Sequence, residues 1–227
     1  CETTNTFTKI TDCDTTLRNL PTSLAILDEK IFVSYGFQND IQIFDLNGNF
    51  IKKFGQTGDG QGEFIGISDI VSNENELFAL DSGNQRIQVF NNNGVFLREF
   101  PITEKFLDSE KMDVSIHEDE LFVMLSSESS VKKFTLDGRL IDTIYMPTIK
   151  PNSLSSLSVE NNLLLLADSS SNKSFIYDLN GELILSFGNF GKFYGEFNSP
   201  QDIIFDGNLI FVSDAYNYRI QVFELID

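Results

Sequence analysis

Basic side chains are scarce in this sequence: 16 Lys and Arg stand against 34 Asp and Glu, a net charge of −18. Affinity for nucleic acid comes mainly from Lys and Arg neutralising phosphates, so a field of this sign excludes a nucleic-acid partner. It equally opposes docking on anionic lipid, and no apolar run reaches the roughly 18 residues of a membrane-spanning helix. Histidine occurs once, as His117 in the acidic stretch His117-Glu118-Asp119-Glu120, which reads as a solvated turn. A histidine-rich zinc centre cannot be assembled from it, and a Ser-His-Asp arrangement would need a Ser and a carboxylate that no motif marks. Helical periodicity is missing throughout, as is any long block of charge.

What is present is apolar and repetitive. Hydrophobic residues make up 41% of the chain, with 22 Phe and 6 Tyr, enough to bury a sizeable core. The segments Ile41-Gln-Ile-Phe44, Ile87-Gln-Val-Phe90, Val131-Lys-Lys-Phe134, Ser174-Phe-Ile-Tyr177 and Ile220-Gln-Val-Phe223 start 46, 44, 43 and 46 residues apart. A glycine turn and a further strand follow each of the first four: Asn47-Gly48, Asn93-Gly94, Asp137-Gly138 and Asn180-Gly181. Asn-Gly and Asp-Gly predict two-residue type I′ hairpins. Two more apolar strands precede each hairpin, often apolar on consecutive positions, as suits sheets packed on both faces.

Four antiparallel strands in a unit of this length, repeated five times, predict an all-β fold: a five-bladed β-propeller of four-stranded antiparallel blades. One domain spans 1–227, with an N-terminal segment over 1–20. The blades fall at about 21–60, 61–105, 106–149, 150–192 and 193–227. The last copy lacks a strand, and the spare strand Asn5–Thr11, with Phe7 and Ile10 available for burial, is expected to complete it, closing the ring and covering an edge that would otherwise template aggregation. Both cysteines, Cys1 and Cys13, lie in the first segment. A chain headed by Cys1 resembles a processed bacterial lipoprotein, whose lipid sits on that residue. A Cys1–Cys13 disulfide in an oxidising compartment and a plain chain boundary are the other readings. The first two place the chain outside the cytoplasm, in the cell envelope, with a membrane reached only through a lipid on Cys1.

Two stretches 133 residues apart share a longer pattern: Phe54-Gly55, Gly58, Gly62-Glu63-Phe64 and Asp81-Ser-Gly-Asn84-Gln-Arg86-Ile-Gln-Val-Phe90 in one, Phe187-Gly188, Gly191, Gly195-Glu196-Phe197 and Asp214-Ala-Tyr-Asn217-Tyr-Arg219-Ile-Gln-Val-Phe223 in the other. This pattern resembles the NHL-repeat propellers, in a bacterial or archaeal envelope-type form. It is degenerate in the other three blades: Tyr35 and Leu125 replace the Asp, and Lys173 replaces the Arg after Asp168. In these residues the pairs Asp81–Arg86 and Asp214–Arg219 read as framework, flanking a turn whose backbone donors they satisfy. The resemblance also implies RNA binding for some members, through a basic face that this chain lacks. Enzymes on related propellers generally use a central metal, often with histidines.

Two surfaces carry candidate sites. Ser23, Asp69, Asp113, Ser156 and Asp202 occupy equivalent positions at the start of the strand that lines a propeller's channel, and are expected to form a polar ring at one mouth. Three carboxylates there suit a hard cation such as calcium, though Asp in this place also bonds local backbone N–H groups. Tyr35 and Phe37 of the first blade, with Phe190, Phe193, Tyr194, Tyr216 and Tyr218 around the last, read as partner-facing aromatics or as packing between blades. The resulting expectation is a non-enzymatic protein-binding or scaffolding propeller, an accessory subunit or surface lipoprotein of an envelope complex, without a required cofactor. The alternative is an ion- or glycan-binding protein, or a metal-dependent enzyme, using the acidic channel mouth.

Overall fold

The computed structural model describes residues 20–103 and 111–225. Nineteen strands in that range form five antiparallel sheets in chain order. Blade 1 is β1 (Ser23–Leu27), β2 (Lys30–Tyr35), β3 (Asp40–Asp45) and β4 (Phe50–Phe54). Blade 2 is β5 (Ile67–Ser72), β6 (Glu76–Asp81), β7 (Arg86–Asn91) and β8 (Phe96–Pro101). Blade 3 is β9 (Met112–His117), β10 (Glu120–Leu125), β11 (Ser130–Thr135) and β12 (Leu140–Tyr145). Blade 4 is β13 (Leu154–Glu160), β14 (Leu163–Asp168), β15 (Lys173–Asp178) and β16 (Leu183–Phe187). Blade 5 is β17 (Pro200–Asp206), β18 (Leu209–Asp214) and β19 (Arg219–Glu224), with a 3₁₀ turn at Ala215–Asn217.

The innermost strands pack in the order β1, β5, β9, β13, β17, so the sheets succeed one another around the ring. This is the five-bladed all-β propeller that the repeat predicts. The strand expected over Asn5–Thr11, and both cysteines, lie outside the described residues; within them blade 5 has three strands.

The core lies between blades rather than inside any one sheet. Phe78, Leu80, Ile87 and Val89 of blade 2 bury against Met112, Val114, Leu121 and Val123 of blade 3, and blades 1 and 2, 3 and 4, and 4 and 5 repeat the scheme. That explains the consecutive apolar runs: β6, β10 and β14 are buried at every position after the first because each has a sheet on both sides.

The outer hairpins differ from the sequence expectation. Only the glycine takes a positive φ, 81° at Gly48 and 66° at Gly94, whereas Asn47, Asn93, Asp137 and Asn180 do not. The turn is therefore a type I turn closed by Gly48 N–H to Asp45 O at 2.9 Å, followed by a left-handed glycine and a bulge at Ile43/Phe44. The cause is the residue that starts the turn. The Asp45 carboxylate accepts the backbone N–H of Asn47 (2.9 Å) and of Asn49 (2.8 Å), and Asn91, Thr135 and Asp178 repeat all or part of this. That side-chain grip selects a three-residue loop over the two-residue one.

Candidate functional site

Five aligned positions fall on the innermost strands. Ser23, Asp69, Asp113, Ser156 and Asp202 sit on β1, β5, β9, β13 and β17, and each of the first four reaches the next blade. Ser23 Oγ donates to Ile70 O (3.3 Å); Asp69 accepts from Val114 N–H (3.3 Å); Asp113 accepts from Leu157 N–H (2.7 Å); and Ser156 Oγ donates to Asp202 (2.7 Å). The ring is thus a row of stitches between adjacent inner strands. A second row runs beside it, with Ser115 Oγ accepting Val159 N–H (3.2 Å) and Ser158 Oγ accepting Phe205 N–H (3.3 Å).

The carboxylates do not converge on a common point. Asp69 and Asp113 are bonded to each other, and Asp202 is taken by Ser156 and by Ile203 N–H at 2.9 Å. Among the described residues, no group of three or more His, Cys, Asp or Glu side chains is placed to hold a metal ion. The calcium expectation therefore meets a ring already engaged with its own framework.

Two carboxyl groups in contact cannot both ionise cheaply. Burial pushes Asp113 well above the usual carboxylate range, and the Asp69 charge and hydrogen bond add to it; burial raises Asp69 as well, against bonds from Asp113, Ser23 and two backbone N–H groups. A proton held more tightly in the folded chain stabilises it below the unfolded pKa, and that contribution is lost as pH rises through the folded value. Asp113→Asn keeps a donor toward Asp69 and an acceptor for Leu157 N–H without the charge. The parent's Tm is expected to decline from pH 4 upward, and the variant to lose that decline and to melt higher than the parent at pH 7.5; parallel Tm–pH curves would refute the shared proton.

The paired Asp and Arg residues hold the passage from one blade to the next. Asp81 is fully buried and accepts from Ile65 N–H (2.9 Å), Asn84 Nδ2 (2.8 Å), Arg86 Nε (2.9 Å) and Gln88 Nε2 (3.2 Å). Arg86 then donates to the carbonyls of Asp59, Gly60 and Glu63 and to the Glu99 carboxylate. Asp214 and Arg219 repeat the arrangement onto Lys192, Phe193 and Glu196. Sequence reasoning missed the glutamines. Gln88 bridges Gly62 N–H and Glu63 O, and Gln221 bridges Gly195 N–H and Glu196 O, each also donating to the buried Asp. Their recurrence inside both copies of Arg-Ile-Gln-Val-Phe was the available signal. In blade 1 the equivalents of Arg86 and Glu99 are exchanged in charge, as Asp40 and Lys53, paired at 2.9 Å.

The aromatic candidates divide. Phe37, Phe190, Phe193, Tyr194, Tyr216 and Tyr218 are exposed, while Tyr35 is half-buried at the end of β2. The β2–β3 and β18–β19 turns and the β16–β17 connector lie at the same end of antiparallel sheets, so all six exposed rings share one rim. Tyr194 is anchored there, its hydroxyl donating to Val222 O (3.0 Å) and its ring 5.6 Å from that of Phe223. Tyr218 holds a left-handed backbone at φ 53°. His117 ends β9, half-buried and opposite Glu120 rather than free in a turn.

Sheets radiating from a common set of inner strands, stitched blade to blade, define the chain as a β-propeller. It belongs to the family described as 6-bladed beta-propeller (DUF5128), which matches residues 11–133, more than half of the chain; five blades are seen here. Among curated proteins it is similar to the E3 ubiquitin-protein ligase TRIM32 of Mus musculus, 29% identical over 123 residues, covering 48% of this chain and only 19% of that protein. Among solved structures it is similar to virginiamycin B lyase from Staphylococcus aureus (TM-score 0.64, 14% identity, 94% of this chain and 72% of that one) and to a streptogramin B lyase (TM-score 0.62, 13% identity, 91% and 83%). These likenesses are of fold. They nevertheless correct one expectation: propellers of similar fold include lyases, so the expectation that the chain is not an enzyme does not stand.

Proposed function

We propose that the chain is a partner-binding propeller of the cell envelope, an accessory subunit whose docking surface is the aromatic rim. The observation that carries this is the exposure of Phe37, Phe190, Phe193, Tyr194, Tyr216 and Tyr218 at one end of the blades, where packing between sheets does not need them. Tyr and Phe supply large contact area at small entropic cost and are enriched in protein interfaces. The acidic net charge supports a protein partner over nucleic acid or a bare anionic membrane.

Crosslinking in the native host, followed by capture of the propeller, tests the rim. Phe190→Ala with Tyr216→Ala is expected to lower recovery of the captured partner by about tenfold or more while leaving Tm within roughly 1–2 °C, because neither ring is buried. Undiminished capture by the double variant would place the partner elsewhere.

A further inference from the structure

Blade 5 repeats blade 2 closely enough to separate what its rim loops need from what they carry. Gly191 N–H to Phe197 O (3.0 Å) matches Gly58 N–H to Phe64 O (3.1 Å), and Asn217 Nδ2 to Gly191 O (2.8 Å) matches Asn84 Nδ2 to Gly58 O (3.0 Å). Within this shared frame blade 2 carries Thr57, Gly60, Gln61, Gly83 and Gln85, where blade 5 carries Phe190, Phe193, Tyr194, Tyr216 and Tyr218. The five rings are 68% to 94% exposed. Tyr218, the most exposed of them, holds φ 53° where its counterpart Gln85 holds φ 54°, and left-handed backbone disfavours a bulky side chain. The loops close through the same bonds without rings, so the rings are surplus to the fold and open to a ligand.

Charge changes along with them. Asp59 of blade 2 becomes Lys192, set between Phe190 and Phe193. Over residues 150–225 every Lys and Arg, namely Lys150, Lys173, Lys192 and Arg219, lies at the rim end of blades 4 and 5. Glu160, Asp178, Glu182, Asp206 and Glu224 lie at the opposite end. The acids at the rim are turned inward: Asp168 and Asp214 are buried, and Glu196 accepts Phe193 N–H at 3.0 Å. Asp202, in the inner row, is held by Ser156 at 2.7 Å. The Lys150, Lys173 and Lys192 ammonium groups have no ion-pair partner among the described residues. Asn172, beside Lys173, accepts Ser199 N–H of the blade 5 connector at 2.8 Å, and Arg219 donates to Lys192 O and Phe193 O, so cations and rings share one surface.

We propose that this patch docks an acidic segment of a protein partner, in which Asp and Glu are interspersed with apolar side chains. The inference rests on the docking-rim reading above and adds the chemistry of the partner. Carboxylates meet the unpaired lysines, and apolar side chains lie on the rings. A nucleic acid fits less well: it brings a phosphate with every nucleotide into the field of a chain of net charge −18, whereas a peptide carries charge only where a lysine answers it.

Phe193→p-benzoylphenylalanine, introduced in the native host, reads the partner directly. Irradiation is expected to join this position to a peptide with several Asp and Glu among apolar residues, identified by mass spectrometry of the adduct. Lys150→Glu, Lys173→Glu and Lys192→Glu together are expected to lower adduct yield about tenfold, as is raising salt from about 0.05 to about 0.5 M. Tm should stay within roughly 1–2 °C of the parent, because all three side chains are exposed. An adduct with a basic or neutral peptide, a nucleotide or a glycan would overturn the proposal, and so would no adduct at all. Charge reversal that leaves the yield intact, where Phe190→Ala with Tyr216→Ala removes it, would keep the rim as a docking surface and refute the acidic partner. Undiminished yield in both sets would sink the rim and the acidic partner together.

Discussion

Asp81→Ala is expected to lower the melting temperature by about 10 °C, among the largest effects of any single polar substitution in this chain. The side chain is fully buried and takes four hydrogen bonds, from Ile65 N–H, Asn84, Arg86 and Gln88. Its removal leaves the Arg86 guanidinium, 11% exposed, without its buried partner and strands Ile65 N–H and one donor of Gln88. Breaking a buried pair from one side costs about 3–5 kcal/mol, and each kcal/mol moves Tm by roughly 2–4 °C in a domain of this size. Asp168→Ala in blade 4 provides the contrast. Asp168 accepts from Ser153 (3.0 Å), Ser170 N–H (3.0 Å) and Ser171 N–H (2.8 Å), with no guanidinium to strand, and should cost less than half as much. Equal losses in the two variants, by thermal or urea unfolding, would mean that the Arg86 connection contributes nothing beyond a capped turn.

Acid should attack the same device in the last blade. Burial raises the Asp214 carboxyl, but Asn198 N–H, Asn217, Arg219 and Gln221 together outweigh it and leave the group below the usual range. A depressed folded pKa gives stability that is whole above the unfolded value near 3.8 and is lost as pH falls through the folded value. Its sign is opposite to that of the Asp69–Asp113 pair. The two therefore separate in one titration: relaxing the channel pair matters above pH 4, releasing the Arg219 clasp below it.

What the sequence made legible was whatever repeats locally. Five third strands were expected to start at Ile41, Ile87, Val131, Ser174 and Ile220, and each begins one residue earlier, because the hydrophobic pattern and the turn glycine mark the same strand in every copy. The alignment of Ser23, Asp69, Asp113, Ser156 and Asp202 was legible for a similar reason, since the repeat places one of them on the inner strand of each copy. Burial was not. Arg86-Ile-Gln-Val-Phe90 and Arg219-Ile-Gln-Val-Phe223 are identical in sequence and strand position, yet Ile87 is sealed and Ile220 is open. Nothing local distinguishes them; the neighbouring sheet does. The hairpin turns failed for the opposite reason. Asn-Gly is a sound signal for a type I′ turn, and it was overruled by the side chain two residues before the Asn, whose carboxylate fixed a different loop.

A tight constraint on how one blade hands over to the next lies where Gly55 meets Phe64. Gly55 ends the outer strand of blade 1 at φ +95°, and a methyl group there would stand 2.8 Å from Phe64 Cε2 and 2.9 Å from Asn39 O. Phe64 is fully buried, its ring 5.8 Å from that of Phe90, and its backbone N–H bonds Gln56 O at 2.8 Å to close the connector loop. Truncating such a ring to alanine costs about 3–5 kcal/mol. Gly55→Ala meets both an unfavourable φ and an overlap, about 2–3 kcal/mol together. The double variant is where the two causes part. With the ring gone the methyl has room where Cε2 stood, so the combined loss is expected to fall short of the sum by about 1 kcal/mol, a coupling that contacting residues show and distant ones do not. The Asn39 carbonyl and the left-handed backbone persist, so the rescue is partial. Urea unfolding of the four proteins in the cycle measures it. Strict additivity would assign the glycine to its dihedral angle alone and remove the ring from the account of why Phe-Gly heads the connector in both Phe54-Gly55 and Phe187-Gly188.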